Sequence, residues 1–437
     1  KEINLNMQIN SFVKSVLNVS FFTILAQIVG IIALPIITRL YSPYDFGLYS
    51  FFVTIISIVG IFATAKYDNA ILVADNSKIR KQLILIIFLL SIFIALSFTI
   101  ILIILNLSGI YSFNINSQIE FMILIFLSII FYANSLSLNF WHNTRGRYTL
   151  MGSAGLLRSI SAAAIKILIG TYIAFLGFGL IYGFVASQGS FLLMLLCAYF
   201  LSDFRKEQSL TKKINSIYSY QELKKVLIKY KDFPKFALPT DFISTLSLQA
   251  PILLTGPIFG GVTLGYFALA RTLLGLPTQV LGGSVRSVFQ KEAALQFNKK
   301  GSCEEIFKKT FFSMTGIVLI PCIITILYAE PIFVIIFGEE WRLAGTFCQI
   351  LAPLYFIRMI AKPLNFMFQL TNHLKFDLKL MNMFIVFSIL SFSIGAYLDS
   401  AIITFTLISV LHSLGYLIYL WFSYLFSTGY KMHERKK

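Results

Sequence analysis

Long apolar runs separated by short polar stretches repeat along the whole chain. The run at residues 82–105, for example, is long enough to cross the roughly 30 Å hydrocarbon core of a bilayer as one α-helix. The pattern predicts an all-α polytopic membrane protein with about twelve transmembrane helices, at residues 15–37, 46–65, 82–106, 118–140, 150–173, 178–201, 235–257, 263–289, 308–329, 344–369, 376–398 and 401–427. The composition agrees, because only 13% of the 437 residues are charged, against roughly 25% in soluble domains.

The widest polar connection divides the twelve spans into two sets of six. We predict an N-terminal six-helix lobe at 1–201, a basic cytoplasmic linker at 202–234 and a C-terminal six-helix lobe at 235–437, with a short interfacial helix near Tyr220 to Tyr230. Gly47 and Gly265 enter spans 2 and 8 in similar contexts, 218 residues apart. This echo favours a duplicated bundle, with two pseudo-symmetric lobes around a central cavity and an axis along the membrane normal.

The net charge of +17 would suit a nucleic-acid binder, but the placement of the charges indicates a different role. With both termini in the cytoplasm, the inner connections and the span ends beside them hold 28 Lys and Arg residues, and the outer loops hold only Arg39 and Arg342. Such a distribution follows the positive-inside rule. The basic residues are therefore expected to face the cytoplasm and its anionic lipid, which argues against a nucleic-acid partner.

Six cations fall inside predicted spans, against one comparable anion, Asp241. They are Arg158, Lys166, Arg271, Arg286, Arg358 and Lys362. A Lys or Arg at mid-helix costs about 2.5–3.5 kcal/mol or more on insertion scales. Arg286 is near the inner end of span 8 and can reach the interface, which favours a structural role for it. The others require a water-filled cavity or an anionic ligand.

Several segments resemble Wzx-type polysaccharide flippases of the multidrug/oligosaccharidyl-lipid/polysaccharide exporter superfamily, in the same order along the chain. The segments are LPIITRLYSPYDFGLY at 34–49, KYDNAI at 66–71, FPKF at 233–236, GYFALAR at 265–271, FGEEW at 337–341 and ILAP at 350–353. The resemblance implies two six-helix lobes, no cofactor and a bacterial inner-membrane location. It also implies translocation of an undecaprenyl-diphosphate-linked oligosaccharide, such as an O-antigen or capsule repeat unit, to the periplasmic leaflet.

The candidate binding site combines that substrate with the cations in the spans. Arg358 and Lys362 lie one turn apart on one face of span 10, so we expect them to bind the diphosphate. Arg158, Lys166 and Arg271 are expected to contribute from across the cleft. Asp241 has two interpretations: it neutralises a neighbouring cation, or it titrates and couples transport to a proton or sodium gradient. Asp68, at the inner end of span 2, is interpreted as an interfacial salt-bridge partner.

Two other functions remain as alternatives. A drug or metabolite antiporter of the same superfamily would bind cationic substrates and favour an acidic cavity. The six cations within the predicted spans argue against this function. A membrane polysaccharide polymerase or glycosyltransferase would need a catalytic constellation, and the histidines and cysteines show no catalytic or metal-binding spacing. Cys197 and Cys322 lie within apolar runs and are predicted to be buried thiols. The sequence therefore predicts a transporter rather than an enzyme, with other polysaccharide export proteins as further partners.

Overall fold

The computed structural model describes residues 2–108, 118–172, 178–201 and 219–429, without the side chains of 2–20, 107, 279–284 and 374. Within these residues the chain forms fourteen α-helices and no strand. The first eight are α1 (Glu2–Leu40), α2 (Pro43–Thr64), α3 (Tyr67–Val73), α4 (Ser77–Leu107), α5 (Gln118–Thr144), α6 (Tyr148–Tyr172), α7 (Gly179–Tyr199) and α8 (Tyr220–Lys229). The others are α9 (Leu238–Lys300), α10 (Glu304–Phe337), α11 (Arg342–Leu364), α12 (Phe366–Leu370), α13 (Leu374–Tyr397) and α14 (Ala401–Ser427). The predicted all-α class is confirmed.

Helix α9 is a hairpin rather than one straight rod. A straight helix of 63 residues would be about 95 Å long, several times the thickness of a bilayer. Gly260 interrupts it with φ 85° and ψ 165°, a conformation that favours glycine. The two arms lie side by side, because Arg271 Nη2 donates a hydrogen bond to Gln249 Oε1 at 2.8 Å although 22 residues separate them. The arms correspond to predicted spans 7 and 8.

Eleven segments of the described residues are long and apolar enough to cross a membrane. One of them, Phe233–Thr278, contains the reversal at Gly260 and so covers two crossings. Counting both arms gives twelve crossings, as the hydrophobic pattern predicts. The protein is a multi-pass membrane protein.

The chain forms two compact units. Unit 1 contains Lys1–Tyr41 and Phe52–Leu246, and unit 2 contains Ser42–Phe51 and Ser247–Lys437. In unit 1, α6 packs against α1 and α7, and α5 packs against α4 and α7. In unit 2, α11 packs against α10 and α14, and α13 packs against α14. Two units agree with the two predicted lobes, while the predicted boundaries at 201 and 235 stay a prediction.

Three of the segments that resemble polysaccharide flippases contact one another in unit 2. A side chain on Gly47 would overlap the carbonyl oxygen of Gly261 and lie 3.1 Å from the nitrogen of Gly265. Nearby, the ring of Phe46 packs edge-on against Trp341, with 4.8 Å between ring centroids. Tyr266 also contacts Trp341 edge-on, at 6.1 Å. Three segments far apart in sequence thus form one packed junction, and its glycines permit close backbone approach.

The surface of both units carries many large apolar side chains, as expected where lipid replaces water. Phe93, Ile335 and Leu319 are among those that are more than half exposed. The prediction of two buried thiols is wrong for this reason, because Cys197 is exposed and Cys322 is only partly covered. An apolar run in a membrane helix has a lipid-facing side, so hydrophobicity alone does not place a residue in the protein interior.

The predicted short helix near Tyr220 to Tyr230 is confirmed as α8, and its interfacial position stays a prediction. The hydroxyl of Ser219 caps its first turn by accepting a hydrogen bond from the Glu222 backbone N–H. Glu222 forms an ion pair with Lys78 at 3.0 Å, and Lys229 forms one with Asp75. These pairs attach α8 to the beginning of α4 in unit 1.

Candidate functional site

Three of the predicted binding residues lie in unit 2, where two helices present them. Arg271 is on the second arm of α9, and Arg358 and Lys362 are one turn apart on α11. The hydrogen bond to Gln249 fixes one nitrogen of Arg271. A second nitrogen of the guanidinium, Nη1, is buried and has no hydrogen-bond partner. A buried guanidinium nitrogen without an acceptor is costly, so this position suits an anionic ligand.

Arg358 links the other cations of unit 2. It is close enough to Arg271 and to Lys362 for electrostatic repulsion, and Lys362 is in turn repelled by Arg286. Within the described part of the chain, none of these four cations forms an ion pair with a carboxylate. Four adjacent positive charges without a countercharge form a region of positive potential that favours an anion.

Aromatic and polar side chains surround Arg358. Its guanidinium carbon lies 5.9 Å from the centroid of the Tyr355 ring, and it hydrogen-bonds the Tyr416 hydroxyl. His412 lies in the same neighbourhood, with its Nε2 3.2 Å from the hydroxyl oxygen of Ser388. These contacts hold the guanidinium in a defined orientation, since Tyr355 and Tyr416 approach it from α11 and α14.

A groove of about 430 Å³ lies on unit 2 between α11 and α14. Its polar lining consists of Gln349, Thr406, Ser409 and Ser413, beside apolar Pro353 and Leu414. The hydroxyl of Ser413 is buried and has no hydrogen-bond partner. Hydroxyl and amide groups next to apolar surface are suited to sugar rings, which present both kinds of surface.

Unit 1 holds a second charged cluster, built on a strained turn after α2. Ala65 and Lys66 both have positive φ, 44° and 60°. Such conformations cost about 1–3 kcal/mol each and persist where the surroundings enforce them. The turn places Lys66 Nζ 2.7 Å from Asp241 Oδ2 and 3.8 Å from Asp68 Oδ2.

The two carboxylates of this cluster differ in environment. The side chain of Asp68 is 1% exposed and that of Asp241 is 44% exposed, while that of Lys66 is 14% exposed. Burial raises the pKa of Asp68, and Lys66 offsets part of that effect. Asp68 Oδ1 has no hydrogen-bond partner. The more buried carboxylate is thus Asp68, whereas the sequence drew attention to Asp241.

Arg158 and Lys166 both lie on α6 of unit 1. The guanidinium carbon of Arg158 is 5.0 Å from the centroid of the Phe191 ring, and Arg158 also acts electrostatically on Tyr132, together with Lys66 and Asp68. The stem of Lys166 packs on Gly183, so a larger residue at that position would displace it. The hydroxyl oxygens of Ser161 and Ser190 are 2.8 Å apart. The small residues of α6 therefore support close packing against α7.

The structure brings some predicted site residues together. Arg271, Arg358 and Lys362 are neighbours, and Arg271 belongs to the same unit as Arg358, so its expected position across the cleft from Arg358 is wrong. Arg286 joins this group. In unit 1, Asp241 neighbours Lys66, and Asp68 completes that cluster. Sequence reasoning gave Arg286 and Asp68 lesser roles because each stands near a span end, where a charge reaches water easily.

Solved structures share the fold over nearly the whole chain. The lipid II flippase MurJ in an inward closed conformation aligns with a TM-score of 0.67 and 15% identity, over 93% of this chain and 87% of that chain. A mutant of the MATE transporter VcmN from Vibrio cholerae aligns with a TM-score of 0.60 and 14% identity, over 96% and 95%. An inward-facing multidrug resistance MATE family transporter of the MOP superfamily gives 0.59 and 14%, over 91% and 93%. Identities this low show the fold alone.

A sequence comparison adds the family. No curated protein matches the sequence. The profile of a family described as "Polysaccharide biosynthesis protein" matches residues 36–345, which is more than half of the chain. This range includes most of the segments on which the resemblance to polysaccharide flippases rests, and the resemblance is confirmed. The chain belongs to the polysaccharide biosynthesis protein family.

Proposed function

We propose that the protein flips an undecaprenyl-diphosphate-linked oligosaccharide, an O-antigen or capsule repeat unit, from the cytoplasmic to the periplasmic leaflet of a bacterial inner membrane by alternating access. The observation that carries the proposal is the group of neighbouring cations in unit 2 around Arg358. Within the described residues they have no carboxylate partner, and Arg271 Nη1 is buried without an acceptor. A diphosphate supplies the missing negative charge and several acceptor oxygens.

The rest of such a substrate has chemistry that other parts of the protein match. Sugars need hydrogen-bonding groups, and the mainly apolar groove between α11 and α14 presents four polar side chains, including Ser409 and Ser413. The polyprenyl tail is as apolar as the bilayer and can remain in it during transfer. The group that cannot cross the hydrocarbon core unaided is the diphosphate, and it is the group that the cations bind.

The orientation of the chain in the membrane rests on the distribution of charge, and the direction of transfer rests on the resemblance to polysaccharide flippases. With both termini in the cytoplasm, the inner connections and neighbouring span ends hold 28 Lys and Arg residues, and this excess supports that orientation. The family membership and the lipid II flippase among the structural neighbours support a lipid-linked substrate. A transporter of cationic drugs would place substrate against like charges, and this disfavours the antiporter alternative.

The role is that of a transporter rather than an enzyme, in the service of a pathway that builds surface polysaccharide. Coupling to a proton or sodium gradient through Asp241 belongs to the proposal because this side chain is 44% exposed and accessible to an ion, whereas its ion pair with Lys66 supports the other interpretation, in which Asp241 neutralises a neighbouring cation. Undecaprenyl-diphosphate oligosaccharide and the bilayer are the primary partners, and other polysaccharide export proteins act after it.

Deleting the gene tests the function. The deletion strain should accumulate lipid-linked oligosaccharide on the cytoplasmic leaflet, where an added membrane-impermeant glycosidase acts only after the inner membrane is opened. Complementation with the full chain should restore the surface polysaccharide. Oligosaccharide that reaches the periplasmic leaflet at the normal rate in the deletion strain, with no second flippase gene present, would contradict the proposal.

A further inference from the structure

The cations of unit 2 lie at different depths along two helices. Arg271 and Arg286 are 15 residues apart on the second arm of α9, which separates them by about 22 Å along the helix axis and about 60° around it. Arg358 and Lys362 are separated by about 6 Å along α11. The four charges therefore extend over much of the roughly 30 Å thickness of the hydrocarbon core.

Their electrostatic neighbours give the order of the four charges. Arg271 interacts with Arg358, Arg358 with Lys362, and Lys362 with Arg286. Residue numbers rise in the same direction along both helices, from Arg271 to Arg286 and from Arg358 to Lys362. The two helices thus run in the same direction here, and the side chains form one row.

Burial changes along this row. Lys362 is exposed, Arg286 and Arg358 are partly covered, and Arg271 has a buried nitrogen without a partner. The positive-inside distribution predicts that both helices run toward the cytoplasm, so Lys362 and Arg286 are nearer to that side. The charges at the cytoplasmic end include the most accessible one, Lys362, and the deepest one, Arg271, has one buried nitrogen, Nη1, without an acceptor.

We infer that the row contains two successive phosphate sites, an entry site formed by Arg286 and Lys362 and a deep site formed by Arg358 and Arg271. This inference rests on the proposed function, because it assigns the diphosphate of the substrate to both sites in turn. A single strong site would hold the anion and prevent release, whereas two weaker sites let it bind first and then move. Arg286 thereby has a role in substrate capture.

Binding and export, measured separately, distinguish the two sites. The full chain is purified in nanodiscs, and radiolabelled undecaprenyl diphosphate without sugar serves as the binding probe. Variants are Arg286→Gln/Lys362→Gln for the entry site and Arg358→Gln for the deep site. Lys309→Gln is the control, since it removes an exposed cation of unit 2 outside the row. Export of surface polysaccharide is measured in cells at matched abundance in the membrane.

The entry variant should bind the probe about tenfold more weakly or worse, because it loses two charged donors, and should export slowly. Overexpression of the enzymes that make the substrate should then restore part of its export. The deep variant should keep most of its affinity for the probe and export nothing, whatever the substrate level. The control should match the parent protein in both measurements.

Two results would overturn the two-site inference, with different consequences. Equal losses of binding in both variants, with no recovery at high substrate, indicate one common site and leave the proposed function intact. Parent-like binding and export in both variants would contradict the two sites and the proposed binding of the diphosphate in unit 2 together.

Discussion

The backbones of Gly47 and Gly261 touch so closely that no side chain fits between them. A β-carbon on Gly47 would overlap the carbonyl oxygen of Gly261 and lie 3.0 Å from its carbonyl carbon. Both partners in this clash are backbone atoms, which cannot rotate away as a side chain can. The contact joins the segment Ser42–Phe51 to the reversal of the α9 hairpin within unit 2.

Replacing Gly47 by Ala should therefore destabilise the protein by about 1–3 kcal/mol, the usual cost of overpacking. The measurement is the unfolding temperature in detergent, together with abundance in the membrane. Gly316→Ala is the matched control in unit 2, since nothing lies within 4 Å of a β-carbon there. A Gly47→Ala protein that unfolds at the control's temperature would show that the backbones separate at little cost.

Arg358→Ala should insert at normal abundance and lose export. Its contacts with Tyr355 and Tyr416 orient the guanidinium, but no carboxylate of the described residues is left unpaired when it goes. Arg358→Lys should recover only part of the export, because an ammonium lacks the forked donors that match phosphate. Export and abundance are measured together.

Two results would contradict the assignment of Arg358. One is normal export by Arg358→Ala. The other is full rescue of Arg358→Ala by Asp241→Asn, which would mean that the two charges had been paired; the ion-pair partner that the structure gives Asp241 is Lys66.

Lys66→Met should be strongly destabilising, while Lys66→Met/Asp68→Asn should regain most of the loss. Removing the lysine leaves Asp68 buried without its countercharge, and breaking a buried pair costs about 3–5 kcal/mol. Asp241 is half exposed and can be hydrated instead. The measurement is the unfolding temperature of the two variants. Equal values would show that the loss of stability comes from removing Lys66 itself rather than from leaving Asp68 charged and unpaired.

The stability of the protein relative to Asp68→Asn should depend on pH in a definite direction. Burial raises the pKa of Asp68 above its ordinary 3.8, so the folded state holds the proton more tightly than the unfolded state. The parent protein should therefore lose stability relative to the variant as pH rises from 3.8 through the raised pKa. Parallel pH profiles of the two unfolding temperatures would show that the pKa of Asp68 is the same in both states.

Asp241→Asn tests the coupling role. The side chain is 44% exposed, so the neutral substitution should be tolerated by the fold, and Lys66 keeps Asp68 as a partner. If the carboxylate carries the coupling ion, export by the variant should no longer respond to an uncoupler or to the sodium gradient. If export by the variant responds to these treatments as export by the parent protein does, Asp241 has a structural role and does not carry the coupling ion.

The spans could be predicted from the sequence because lipid imposes a simple condition: each crossing must be long, apolar and helical. The short helix α8 and the position of the α9 reversal near Gly260 followed from the same pattern. The similar contexts of Gly47 and Gly265 favoured a duplicated bundle, but they could not show that Gly47 meets Gly261. A contact between residues more than 200 positions apart depends on how helices pack, which hydropathy does not encode.

The sequence could predict which residues belong to the candidate site, but not which side chains pair with one another there. Charge at mid-span identified Arg271 and Arg358, since any such charge is expensive. A strained turn at Ala65 determines the pairing of Lys66 with Asp241 and the burial of Asp68. No local sequence pattern predicts this turn. Arg286 was given a structural role because it is close to the span end, which suggested an interfacial position. Its neighbour Lys362 lies on another helix, so the sequence could not show that the two charges are close.

The hydrogen bond between Arg271 and Gln249 also bears on how the protein is made. A span that carries Arg271 is a poor candidate for entering the bilayer alone, because an arginine at mid-span adds about 2.5–3.5 kcal/mol to its insertion free energy. Gln249 precedes Arg271 by only 22 residues, on the other arm of the same hairpin. The acceptor has therefore already been synthesised when the arginine emerges from the ribosome, and the translocon can release the two arms into lipid together as one unit.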